Sequence, residues 1–95
     1  MLTLPIKKKW YDMILSGEKK EEYREIKDFY KGRLGGWLDD TQKEIRFRNG
    51  YSRKAPSFIA KCTMRIGAGN PEWGAKPGKM RYILEIHEIR KENLE

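Results

Sequence analysis

Within Gly17-Glu18-Lys19-Lys20-Glu21-Glu22-Tyr23-Arg24 stand three side chains able to do chemistry together, Lys19, Glu22 and Arg24. Glu22 and Arg24, opposite in charge, can hold each other in place. That leaves the ammonium of Lys19 and the free guanidinium donors to meet an anionic or amide-bearing ligand. A carboxylate beside a lysine also suits hydrolysis by activated water, with Glu22 as general base and Lys19 as electrophile. The plain counterpart is a surface ion-pair cluster of little energetic weight. Tyr23 and Tyr51 are extra acid or base candidates, although aromatics in such places more commonly pack.

A second group of residues lies further along. Between residues 41 and 65 there are seven basic side chains against the single acid Glu44, in a chain of net charge +7. Arg46, Arg48, Arg53, Lys54, Lys61 and Arg65 are interleaved with Phe47, Tyr51 and Phe58. That mixture suits phosphate contacts combined with base stacking, as in single-stranded nucleic-acid binding. It also fits a solvated strand face backed by a buried aromatic face.

These side chains need elements to position them. Leu2-Thr3-Leu4-Pro5-Ile6 reads as a short strand, and Trp10, Met13 and Ile14 give the apolar stripe of a helix that stops at Ser16-Gly17. From Glu18 to Leu34 local propensity favours one long helix, with Tyr23, Ile26, Tyr30 and Leu34 at three- and four-residue steps. As a strand, the same stretch would put Lys20, Glu22, Arg24 and Ile26 on one face. Glu44 to Arg48 alternates as a half-buried strand before the Asn49-Gly50 turn. The next strand places Phe58, Ala60, Cys62, Met64 and Ile66 inward, which makes Cys62 a core thiol rather than a nucleophile. Residues 67–78 form a long loop carrying Trp73, of the kind that borders sites. Met80 to Ile89 closes the chain as a strand with Tyr82, Leu84 and Ile86 inward. His87 is assigned no role.

With 95 residues the chain has room for one domain, 1–95, and one modest core. One Cys and one His exclude an internal disulfide and a four-ligand zinc set. The carboxylates beyond Glu21, Glu22 and Glu25 suggest no two-metal site, and no metal or cofactor is implied. No apolar run reaches signal-peptide or membrane-spanning length. A cytoplasmic protein with no membrane partner is expected.

The string Gly17 to Arg24 matches G-x-K-x-x-E-x-R and resembles the signature of the ASCH domain family, whose members have the PUA-like β-barrel fold. The opening strand, the helix leading into Gly17, the basic Ile45-Arg46-Phe47-Arg48 strand and the closing Tyr82-to-Ile86 strand fall in family order, so the resemblance spans the chain. Short strands dominating a chain with one early helix and a second around Phe29 to Leu34 already suggest a small barrel-like mixed α+β fold; the resemblance makes it a small PUA-like mixed β-barrel with one or two flanking helices. It also implies that Lys19 begins a strand, and that Glu22 and Arg24 project, with Tyr23 between them, toward a ligand cleft beside the helix. The function it implies is binding of RNA or single-stranded nucleic acid, or of a nucleotide-like small molecule; the basic segment read above from its charge, Arg46, Arg48, Tyr51, Arg53, Lys54, Lys61 and Arg65, is the expected source of the nucleic-acid contacts. Some relatives are enzymes: bacterial N4-acetylcytidine amidohydrolases, in which a Lys activates a Thr, and a ribonuclease. The Thr position falls on Glu22 here, so the alternative is a small hydrolase acting on a modified nucleoside or on RNA through Lys19 and Glu22. A third reading, a protein adaptor working through the Trp73 loop, rests on that one aromatic.

Overall fold

The computed structural model describes residues 1–37 and 41–92. Five strands and two helices follow one another as β1 (Leu2–Ile6), α1 (Lys8–Leu15), β2 (Glu21–Arg24), α2 (Asp28–Leu34), β3 (Lys43–Asn49), β4 (Ser57–Gly67) and β5 (Arg81–Lys91), with a 3-10 turn at Pro71–Trp73. The strands join in the order β1-β3-β4-β5-β2, with β1 parallel to β3 and every other pair antiparallel. The sheet curls into a half-barrel, an α+β arrangement. Where a closed barrel was expected, β1 and β2 remain edges among the described residues. A register shift in the β4–β5 pairing between Lys61 and Cys62 bends β4 where its pairing with β3 ends.

The concave face carries the core. Ile14, Leu34, Phe47, Phe58, Cys62 and Leu84 are sealed from solvent, and the Phe58 ring packs 5.1 Å from Tyr11 and 5.4 Å from Phe47. The inward parity read from the sequence holds for Phe58, Ala60, Cys62 and Met64 and fails at Ile66, which is 54% exposed. The pairing of β3 with β4 ends at Cys62, so Ile66 sits on a stretch of β4 that has a neighbour strand on one side only. Ile59 and Ile83, on the opposite parity, are buried as well.

The long helix favoured by propensity does not form. Gly17 takes φ 84°, a left-handed conformation open to glycine at little cost, and the chain turns back on α1. The amide of Gly17 donates to Ile14 O and that of Lys19 to Met13 O. Residues 21–24 then pair with Leu84 and its neighbours on β5, Tyr23 opposite Ile83. Strand pairing with β5 and the partial burial of β2 outweigh the tenths of a kcal/mol per residue that favour helix for Glu and Lys. The strand starts at Glu21, two residues later than the family signature implies, and helix formation resumes only at Asp28. No helix among the described residues is long and apolar enough to cross a membrane.

Candidate functional site

Because β2 leaves α1 through so tight a turn, Lys19 is directed back beneath the helix. Its ammonium lies 4.1 Å from the centre of the Trp10 ring and 5.3 Å from that of Tyr23. It donates to the Trp73 carbonyl at 2.6 Å and meets Glu22 Oε1 at 2.9 Å. Lys19 is 2% exposed and Glu22 4%. Glu22 and Arg24 share the concave face, being two apart on β2, and Arg24 Nη1 reaches Glu22 Oε2 at 2.5 Å. Nη1 also donates to the Tyr23 carbonyl and Nη2 to the Pro5 carbonyl, so Arg24 ties β2 to the end of β1. One buried carboxylate is thus held between two cations.

Above this floor opens a cleft of about 490 Å³. Trp10, Tyr23, Tyr30, Tyr51 and Trp73 supply its aromatic walls, and Lys7, Glu25 and Lys27 add charge around them. The loop after β4 makes one wall. Its Asn70 amide donates to Tyr23 Oη, and the Tyr23 hydroxyl donates to Glu21, so both hydrogen-bonding functions of that phenol are engaged. Two glycines with positive φ let the loop approach: a Cβ on Gly69 would meet the Tyr23 ring at 2.7 Å, and one on Gly74 would meet Trp10 at 3.0 Å.

Burial governs the ionisation of the floor. Lys19 is pushed below the ordinary lysine range by desolvation, with the neighbouring Glu22 opposing the shift. Tyr23 is raised, first by burial and then by its bond to Glu21. Among the described residues, the hydroxyls bordering the cleft belong to tyrosines, and neither serine nor threonine lines it.

The expected site residues separate into two sets. Lys19, Glu22, Tyr23 and Arg24 line one cleft, and Tyr51 joins them from the β3–β4 turn, 89% exposed at the mouth. The basic segment is not one continuous cationic face. Arg46 is clasped by Glu92, which also accepts from Ser57; Lys61 meets Glu88 at 3.3 Å; Arg65 binds both Glu85 and Glu21. Arg53 and Lys54 are exposed next to Tyr51 and form no ion pair among the described residues. Arg48 is half-buried on β3, with an Nε that has no partner among the described residues. Cys62 is sealed in the core and its thiol is pushed up to about 12 by burial.

Sequence reasoning missed Lys7, Lys27 and Tyr30 as cleft residues and assigned Trp10 to the core. The signal for Trp10 was present: it lies one position beyond the buried Tyr11–Ile14 face, on the side where Gly17 turns the chain back. Comparison of the chain with protein-family models, curated proteins and solved structures yields no match.

Proposed function

We propose that the protein is a binding module for RNA or another single-stranded nucleic acid, taking one nucleotide in the cleft while the strand passes over the Tyr51 turn. The observation that carries this reading is the aromatic-walled cleft closed below by the buried Lys19–Glu22 pair and the half-buried Arg24. Its volume falls within the roughly 300–1,000 Å³ of small-ligand pockets. Flat aromatic walls suit a base, and a ribose-phosphate suits the Lys7 and Lys27 ammonium groups bordering the cleft. Arg53 and Lys54, beside the exposed Tyr51, extend the path for a following phosphate. The half-barrel with two helices also supports assignment of the chain to the ASCH family and its PUA-like fold, and a single core thiol fits a reducing cytoplasm.

The test is a titration with fluorescent single-stranded RNA at low and moderate salt, following bound fraction and cleavage products in the same samples. Binding that weakens steeply with salt and leaves the strand intact is expected. No binding at either salt overturns the reading. One observation favours hydrolysis instead, the buried Lys19 amine with its lowered pKa beside Glu22. Cleavage that disappears in a folded Lys19→Ala variant is the outcome that alternative requires.

A further inference from the structure

We propose, resting on the nucleic-acid reading above, that the base taken into the cleft is an unpaired guanine and that Glu22 reads it. The argument is an inventory of hydrogen-bonding positions on the floor. A carboxylate offers about four lone-pair positions, two on each oxygen. Lys19 occupies one on Oε1 and Arg24 one on Oε2, so each oxygen keeps one, on a residue that borders the cleft. Most of the neighbouring donors are spent. Lys19 meets Glu22, donates to the Trp73 carbonyl and faces the Trp10 ring, while Arg24 Nη1 serves Glu22 and Tyr23 and Nη2 serves Pro5; Arg24 Nε has no partner among the described residues but is itself sealed from solvent, and so from a ligand. A ligand therefore meets a pair of adjacent acceptors on one carboxylate, the reverse of the donor-rich floor expected from the residue types.

Guanine is the one RNA base with two neighbouring N–H donors, N1–H and the N2 amino group, spaced to match two carboxylate oxygens. Adenine, cytosine and uracil each set an acceptor beside a donor on that edge, and so turn a lone pair toward one oxygen of Glu22. In a duplex the N1–H and N2–H donors are occupied by cytosine, so only an unpaired guanine can present them. The Trp10 ring is met by the Lys19 and Lys9 ammonium groups, so the stacking surface a purine uses falls to Trp73 and the exposed Tyr51 among the walls.

The experiment uses short uridine strands that carry one varied central position, read by fluorescence anisotropy on the intact protein. The guanine strand is expected to bind roughly tenfold or more tightly than those with adenine, cytosine or uracil at that position. Inosine lacks the N2 amino group and should fall to the level of adenine, whereas 7-deazaguanine, altered only at N7, should keep the full affinity. Guanosine monophosphate should displace the strand at concentrations where uridine monophosphate does not. Glu22→Gln offers one acceptor and one donor, so the guanine preference should vanish and adenine gain relative to it, in a variant checked by thermal melting. Should that variant unfold, the inosine comparison on the unaltered protein still decides. Equal affinity for all strands, or guanine and inosine bound alike, overturns the guanine assignment while leaving strand binding intact. Absence of binding to every strand overturns both.

Discussion

Lys19 and Glu22 form an ion pair of 2.9 Å with side chains 1% and 5% exposed, and Arg24 approaches the same carboxylate from its other oxygen. The set holds two cations and one anion in a region largely closed to water. Its members are therefore unequal in what their removal costs.

Removing Glu22 strands two cations, whereas removing Lys19 leaves the balanced Glu22–Arg24 pair. Glu22→Ala is expected to destabilise the fold by about 3–5 kcal/mol, the usual cost of breaking a buried pair. Lys19→Met keeps the length and apolar body of the side chain and should cost less than half as much. Urea denaturation of both variants checks the order, and equal losses would mean that Arg24 does not hold Glu22 on its own.

The ion pairs on the outer face set which basic residues can meet phosphate. Arg46, Lys61 and Arg65 have carboxylates against them, and Arg53 and Lys54 do not among the described residues. Arg53→Ala and Lys54→Ala should each lower the slope of log K against log[salt] for single-stranded RNA by about 0.7, the value for one phosphate contact. Arg46→Ala, Lys61→Ala and Arg65→Ala should leave the slope nearly unchanged. Equal changes across all five would return the whole 46–65 segment to the binding surface.

How far the sequence reveals this arrangement depends on whether the cause is local. Alternation over 58–64 and the Trp10–Ile14 spacing gave β4 and α1, since burial on one face imposes its period directly. Residues 19–25 were illegible to propensity, because their conformation is decided by pairing with β5, some sixty residues away, and only the family-like string pointed to a strand. The charge count misled for a related reason. Arg46 and Glu92 meet across 46 positions of sequence, so a segment that looks strongly cationic along the chain is partly neutralised in space. Ile66 shows the converse, an apolar residue that continues the inward alternation but lies beyond the end of β3, so that the burial predicted from its parity fails.

Cys62 is fully buried and its thiol is raised to about 12, so the reactive thiolate is scarce at neutral pH in the folded protein. Alkylation by iodoacetamide at pH 8 should proceed only as fast as the protein opens and reach an ordinary thiol rate in urea. Rapid labelling of the folded protein would place the thiol at a surface instead.

The wall formed by the 67–78 loop depends on glycine at two positions. Gly69 and Gly74 have φ of 78° and 99°, and a Cβ at Gly69 would also meet Ala75 at 2.9 Å. Gly69→Ala should cost about 1–3 kcal/mol from backbone strain together with displacement of Tyr23. If the wall contributes to the cleft, affinity for single-stranded RNA should fall in the same variant under conditions where it stays folded. Gly78→Ala, strained at φ 83° with open space around its Cβ, serves as the control that loses stability and keeps binding.

Lys19 also predicts a dependence of stability on pH, with a sign that follows from the direction of its shift. The unfolded lysine titrates near 10.5 and the folded one below that, because burial disfavours the ammonium more than Glu22 restores it. Below the folded pKa both states hold the proton, and the ammonium's burial is a constant cost to the fold. Between the two pKa values the unfolded chain binds more proton than the folded one, so stability rises with pH, and above 10.5 the gain levels off. Cys62 and Tyr23, raised by folding, push the other way in the alkaline range, so Lys19 must be isolated by difference. The stability of the unaltered protein minus that of Lys19→Met, measured by urea denaturation from pH 7 to 10.5, should increase with pH. A difference that falls over this window would mean that Glu22 holds the ammonium more strongly than burial expels it, and would remove the amine-based argument for hydrolysis.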